Sequence, residues 1–365
     1  NMLYNIVDRI YIGHMPGDGS LALTGIGVCM PIIMIISAFA ALISSGGAPK
    51  ASIYMGKGDN QAAEKILGGC FTLQLILSAI LTTVLLIWNE DLLLMFGASK
   101  NTIGYATDYM TIYAIGTIFV QLTLGMGAFI TAQGFAKVGM MTVLIGAVSN
   151  IILDPIFIFA LDMGVKGAAF ATVASQAVSA VWILRFLTGK KTILRLKKEN
   201  LAIVPKVLMP CLGLGVSTFV MLSTESILSI SFTSSLSRYG GDVAVGAMTV
   251  LTSINQLITM PLSGICQGGQ PLISFNYGAK KLDRVKEAFF CQFGVCVAYT
   301  TVFWLLLMTM PNVFAGIFTN DAALVEYTAW ALKVFLACGF SVGFQISCQQ
   351  AFMALGQAKI SLFMA

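Results

Sequence analysis

Gly46-Gly47-Ala48-Pro49-Lys50-Ala51-Ser52-Ile53-Tyr54-Met55-Gly56 is the stretch on which the fold turns, because residues 268–278 repeat its punctuation. Gly46, Gly47, Pro49, Ser52 and Gly56 recur as Gly268, Gly269, Pro271, Ser274 and Gly278, each 222 positions further on. The same offset pairs Phe96 with Phe318 and Tyr105 with Tyr327. It also carries Ala132, Gly134, Ala136 and Lys137 onto Ala354, Gly356, Ala358 and Lys359. Chance identities are common in a biased composition. These matches, however, fall on residues that end helices, and one offset holds from Gly46 to Lys137 without a gap. Internal repeats of this kind are a signature of secondary transporters.

The composition says what is being repeated. Of 365 residues, 57% are hydrophobic and 10% charged, whereas a soluble domain carries about 25% charged residues. The mean hydropathy is +0.87. So few charges cannot coat water-soluble domains, and the chain reads as an all-α polytopic membrane protein. Crossing the bilayer core takes about 20 apolar residues. Such segments run over 21–49, 66–88, 102–131, 138–160, 167–187, 206–236, 243–275, 287–310 and 323–352, with a partial one over 1–13 and another beginning near 360. The runs are continuously apolar, without the alternation that transmembrane strands require.

Loop charges orient these crossings. One set of loops holds Lys57, Lys65, Lys137, Lys190, Lys191, Arg195, Lys197, Lys198, Lys206, Lys280, Lys281, Arg284, Lys286 and Lys359; the opposite set holds only Lys100, Lys166 and Arg238. By the positive-inside rule the first set is cytoplasmic, including the loops at 190–205 and 276–286. The basic stretch 190–205 is the natural seam. It divides an N-terminal six-helix bundle, 1–189, from a C-terminal bundle, 206–365. Six helices is an even number, so the two copies point the same way and are expected to be related by a pseudo-two-fold axis along the membrane normal. The repeat predicts twelve helices in the complete protein, with the first and eleventh truncated here and the twelfth absent.

Several function classes are disfavoured. The single histidine, His14, excludes multi-histidine metal sites and disfavours a histidine-based catalytic triad. The eight cysteines form no CxxC pair, and most lie in apolar runs, where they read as small core residues. The glycine pairs end helices rather than follow strands, so they are not nucleotide-binding loops. Neither an enzyme nor a nucleic-acid partner is expected, and no cofactor is implied. With no nucleotide domain, the energy is expected to come from an ion gradient.

Charged side chains at mid-bilayer cost about 2.5–3.5 kcal/mol on insertion scales and usually mark function. Four stand out: Asp8, Asp154, Glu225 and Lys333. Asp8 is followed by Arg9, but neighbours in sequence point about 100° apart on a helix, so that pair is poor. Asn150 and Asp154 are one turn apart on the same face, and Pro155 withdraws a backbone donor and weakens the helix there. An amide, a carboxylate and loosened backbone make a cation or proton site; the alternative is a capped, proline-bent helix end. Glu225, between Thr224 and Ser226, is either functional or a buried acid satisfied by hydroxyls. Lys333 either snorkels or faces a cavity. Burial raises a carboxylate's affinity for its proton, which is what a group that loads on one side of a membrane and unloads on the other needs.

At these residues the chain resembles the multidrug and toxic compound extrusion (MATE) family. The run Val7-Asp8-Arg9-Ile10-Tyr11-Ile12-Gly13, followed by Leu21-Ala22-Leu23-Thr24-Gly25-Ile26-Gly27, is similar to the family's first-helix signature. So are Asn150-x-x-Leu153-Asp154-Pro155 with Gly164-x-x-Gly167-Ala168-Ala169-x-Ala171-Thr172, and Gln270-Pro271-x-x-Ser274-x-Asn276-Tyr277-Gly278. Any one motif is weak; their order and spacing over the whole chain carry the resemblance. It implies two six-helix bundles around a central cavity, in the plasma membrane, exporting small cationic amphipathic compounds against H⁺ or Na⁺ as a monomer in the lipid bilayer. In the DinF-like branch the coupling site would fall on Asp8, Asn150, Asp154 and Thr172, which would also be the ligands of a Na⁺ ion. Tyr4 and Tyr109 match cavity-lining aromatics. The NorM-like branch uses acids of the C-terminal lobe. Glu225 stands at the first of these, where it would act on substrate cations, but Cys348 stands at the second, which favours the DinF-like branch.

The mechanism this implies is alternating access. Asp8 and Asp154 take up the ion from outside, the first helix bends, the drug leaves, and the bundles rock inward to release the ion. The 19 Met and 24 Phe suit flexible apolar recognition and cation–π contact, although most must serve packing and lipid contact. A flippase for lipid-linked or polysaccharide precursors is the alternative within transport. An intramembrane enzyme or a channel is the alternative from another class.

Overall fold

The computed structural model describes residues 11–12, 19–239, 241–316 and 322–364. Helices are the secondary structure throughout these residues, as the bilayer demands when every backbone polar group must be satisfied within its own segment. In chain order they are α1 (Gly19–Gly56), α2 (Asn60–Ile87), α3 (Asn89–Met95), α4 (Ile103–Ala132), α5 (Ala136–Pro155), α6 (Gly164–Thr188), α7 (Pro205–Tyr239), α8 (Gly241–Gly278), α9 (Leu282–Thr309), α10 (Pro311–Gly316), α11 (Ala322–Phe335), α12 (Val342–Ala354) and α13 (Ala358–Met364). Among the described residues, seven helices are long and apolar enough to cross a membrane. There are eight if Val325–Phe335 and Gly339–Ala354, bent by 54° at their junction, count as one. Ile80, Ile87, Ile152, Val181, Val302 and Trp330 stand exposed on their outer faces, as lipid-facing positions do. The protein is a multi-pass membrane protein.

The repeat read from residues 46–56 reappears in the backbone. Shifted by 222, α1 falls on α8 and α2 on α9, end for end, and the short α3 falls on α10. The hairpins between them match in conformation as well. Gly58 (φ +80°) pairs with Lys280 (φ +58°), and Gly134 (φ +88°) with Gly356 (φ +76°). All four sit in the left-handed region that closes a helix. Lys280 tolerates it at a cost that glycine avoids. Ser52 Oγ donates to the Ala132 carbonyl at 3.4 Å, and its counterpart Ser274 Oγ to the Ala354 carbonyl at 2.9 Å. Thr82 Oγ1 donates to the Ala114 carbonyl at 2.8 Å; at the equivalent place the Trp304 indole donates to the Leu336 carbonyl at 2.9 Å. Here the copies diverge. α4 continues unbroken past Ala114, whereas its counterpart breaks after Phe335 and resumes as α12.

The chain packs as two compact units, residues 1–219 and 220–365. Loop charge puts the seam at 190–205; the packing boundary lies inside α7. The first half of α7 packs against α1 so closely that a Cβ on Gly46 would run into the Cys211 carbonyl, and one on Gly215 into that of Leu42. Small residues at such crossings let membrane helices approach backbone to backbone. The basic linker is held to the same unit. Gln133 Oε1 accepts from Thr192 Oγ1 (2.8 Å), Ile193 N (2.9 Å) and Leu194 N (2.8 Å). Glu64 accepts from Lys197 Nζ (2.7 Å), Arg195 N (3.2 Å) and Asn200 Nδ2 (3.4 Å).

Within the first unit the apolar core falls into two clusters stacked along the helices. One gathers Ile26, Ile36, Met110, Val120 and Val165; the other gathers Ile43, Leu67, Leu122, Phe129 and Ile183. The second unit is built around Leu251, Ile254, Leu262, Leu307 and Leu332. None of the cysteines forms a disulfide, and five of the eight are buried core residues: Cys29, Cys70, Cys211, Cys266 and Cys296.

Candidate functional site

α5 carries the centre of the site. Asn150 and Asp154, one turn apart, are both fully buried, and Asn150 Nδ2 donates to Asp154 Oδ1 at 3.1 Å. The helix ends at Pro155 and passes into a wider π turn over Ile156–Ala160. Proline cannot donate to the carbonyl one turn back, so the backbone beside Asp154 is loosened as its sequence predicts. A carboxylate in a low-dielectric bundle is expensive in its charged form.

Helix register brings Thr172 to the same depth. α5 and α6 run antiparallel, and Ser179 Oγ donates to the Thr142 carbonyl at 3.3 Å. Counting two turns along each helix from that contact sets Asn150 level with Ala171 and Thr172. Thr172 is buried in α6. α4 completes the layer. Thr123 Oγ1 donates to the Gln176 carbonyl at 3.3 Å, a register that puts Thr117 at the depth of Thr172. Above Thr117 on the same face stand Tyr113 and Tyr109, both buried, with ring centroids 6.1 Å apart and planes within 16°. Tyr109 therefore lies inside the first unit, among Ile26, Met110 and Val165.

The remaining candidates are distributed differently. Asp8 and Tyr4 lie outside the described residues, as does His14. Glu225 lies on α7, and its side chain is outside the described ones. Lys333 is in the last turn of α11, on an exposed face, and Cys348 is half-buried in α12.

Sequence reasoning passed over several polar groups. Gln74, Gln121, Gln176, Gln133 and Glu64 are all buried within the first unit. The signal was present in part, since Tyr109, Tyr113, Thr117 and Gln121 recur every fourth residue on α4, a polar stripe in an apolar helix. At the opposite end from the linker, Lys166 Nζ lies 3.4 Å from Asp108 Oδ1, both about half exposed, a pair that contributes little.

Comparison with known proteins agrees with this architecture. The MatE family model matches residues 1–156 and 217–365. The multidrug export protein MepA of Staphylococcus saprophyticus is 25% identical over 365 residues, all of this chain and 80% of that protein. MepA of Staphylococcus aureus strain NCTC 8325 is 26% identical over 373 residues, with the same coverage. Among solved structures, the MATE multidrug transporter DinF-BH in complex with a dye is 33% identical with a TM-score of 0.90, covering 99% of this chain and 80% of that one. A MATE in the bent conformation has a TM-score of 0.91 at 23% identity, with the same coverage.

Proposed function

The chain belongs to the MatE family of multidrug transporters, and from that membership we propose that it is an ion-gradient-driven antiporter of cationic amphipathic compounds. It is a transporter and not an enzyme. The observation that carries the coupling is the fully buried Asn150–Asp154 pair at the proline-loosened end of α5. Asp154, with Asp8, Asn150 and Thr172, takes up H⁺ or Na⁺ from outside. Neutralising Asp154 changes its bond with Asn150 and the packing of α5 on α6, and that change is coupled to drug release. The bundles then rock and the ion leaves to the cytoplasm.

A substrate of this class presents a delocalised cation on an apolar frame. Aromatic and methionine side chains recognise such a molecule without fixed geometry; Tyr4, Tyr109 and Glu225 are the residues assigned to it. The dye bound by DinF-BH and the multidrug export of MepA support this class. The DinF-like branch is favoured, because the buried carboxylate stands in the N-terminal unit while Cys348 occupies the second acid's position. With the whole coupling site assigned to one chain, the transport unit is read as a monomer that uses no cofactor, H⁺ or Na⁺ being the coupling ion.

The test is reconstitution of the complete protein in vesicles. Ethidium export is measured under an imposed ΔpH without Na⁺, then under an imposed ΔNa⁺ without ΔpH. One gradient drives export in the unmodified protein, and Asp8→Asn and Asp154→Asn abolish it. Full driven export by both variants would refute the assignment.

A further inference from the structure

One turn closer to the linker than Asn150 and Thr172, the first unit contains a second polar layer. Gln74 of α2, Gln121 of α4 and Gln176 of α6 are 0%, 0% and 4% exposed. Their helices are held in register by Gln74 Nε2 donating to the Gln121 carbonyl (2.9 Å) and Thr123 Oγ1 donating to the Gln176 carbonyl (3.3 Å). Gln176 follows Thr172 by four residues and Gln121 follows Thr117 by four, so the glutamines lie about 6 Å deeper toward the cytoplasm. The layer falls where the two apolar clusters meet. One cluster ends at Ile36 and Val120, and the other begins with Ile43 and Leu122.

The orientation of two of these amides, Gln74 and Gln121, is forced. Gln74 Nε2 is committed to the Gln121 carbonyl and Gln121 Nε2 to the Ile36 carbonyl at 2.8 Å. Exchanging oxygen and nitrogen would set oxygen against oxygen. Oε1 of Gln74, of Gln121 and of Gln176 is buried, and no donor among the described residues reaches any of the three. Buried acceptors without donors are costly, and three at one depth in a membrane bundle mark a place that favours positive charge. The repeat supplies a control. At the offset of 222, Gln74 corresponds to Cys296 and Gln121 to Gly343. Gln292, one turn from Cys296, is also buried with an undonated Oε1, so among the described residues the second copy keeps one such amide where the copy that contains Asp154 has three.

We infer that Gln74, Gln121 and Gln176 form a second station for the coupling cation, through which H⁺ (as hydronium) or Na⁺ passes from Asp154 to the cytoplasm. The inference rests on Asp154 being the coupling group. Neutral amide oxygens suit a transit station, because they attract a cation without holding it as a carboxylate does, and conduction needs a site that the ion can leave.

The test uses the full-length protein in vesicles, with ethidium as substrate and ΔpH and ΔNa⁺ applied separately. Gln74→Met, Gln121→Met and Gln176→Met keep side-chain length and remove the amide. Each is expected to lower driven export about tenfold, the size of one lost hydrogen bond to a charged group, while ethidium affinity in detergent stays within about twofold. Gln74→Met and Gln121→Met each also give up an amide bond to a neighbouring helix. Gln176→Met does not carry that structural loss, so it reports even where the other two fold poorly. Gln176→Glu adds an acid to the layer; it is expected to shift the pH profile of export if H⁺ is the ion, and to raise apparent Na⁺ affinity if Na⁺ is. Full driven export by the three Met variants would overturn the inference, as would a loss of ethidium affinity equal to the loss of export. Asp154→Asn is measured alongside. If it abolishes export while the Met variants do not, only the glutamine station falls. If it leaves export intact, the coupling assignment falls and the station with it.

Discussion

The Asn150 side-chain amide donates to Asp154 Oδ1 at 3.1 Å, across a single helical turn, with both residues fully buried. This makes the amide a positioning group for the carboxylate. Asn150→Ala is expected to leave a folded protein whose ion dependence is shifted, since the charged form of Asp154 loses a donor worth about 1.5–3 kcal/mol. The pH or Na⁺ concentration giving half-maximal export should move about tenfold or more, while ethidium affinity in the absence of the gradient stays within about twofold. An unchanged ion dependence would show that Asn150 caps the helix end and nothing more.

Glu64 and Gln133 are the two acceptors that hold the linker. Glu64→Ala orphans the Arg195 amide and releases Lys197 and Asn200, and Gln133→Leu orphans the donors of Ile193 and Leu194. Each is expected to cost about 1–3 kcal/mol, read as earlier proteolysis between Lys190 and Lys206. Lys197→Ala removes one half-exposed partner and should cost under about 1 kcal/mol. Equal protease sensitivity of Lys197→Ala and Glu64→Ala would mean that the ion pair, not the backbone contact, holds the linker.

Gly134 and Gly356 close equivalent hairpins at φ +88° and +76°. An L side chain in that conformation costs about 1–2 kcal/mol. Gly134→Ala and Gly356→Ala should therefore lower thermal stability by similar amounts, read in detergent from the unfolding midpoint. A cost at only one of the two would show that the shared backbone does not extend to shared energetics.

Much of the fold is legible along the chain. Span positions follow from hydropathy, which each segment carries within itself. The repeat follows from glycine and proline at helix ends, whose backbone demands are local; that is why α1 and α8, and α2 and α9, coincide at an offset found in residues 46–56. Asn150 and Asp154 are legible because a spacing of four on a helix is a shared face. The break between α11 and α12 is not. An equivalent donor reaches the equivalent carbonyl in both copies, Trp304 on Leu336 and Thr82 on Ala114, yet only the second helix breaks, so the local pattern does not state it.

What the sequence by itself determined is the membrane architecture, its duplication and the carboxylate at the end of α5, all properties of single helices read along the chain. Tertiary structure alone decided which helices share a depth. It set Thr172 level with Asn150, gathered Gln74, Gln121 and Gln176 into one layer, clamped the basic linker through Glu64 and Gln133, and moved the packing boundary into α7. The physical reason is register. A helix's own periodicity states which residues share a face, but not how far that helix slides against its neighbour. That offset is settled by close glycine contacts such as Gly46 on Cys211 and by hydrogen bonds between residues tens of positions apart.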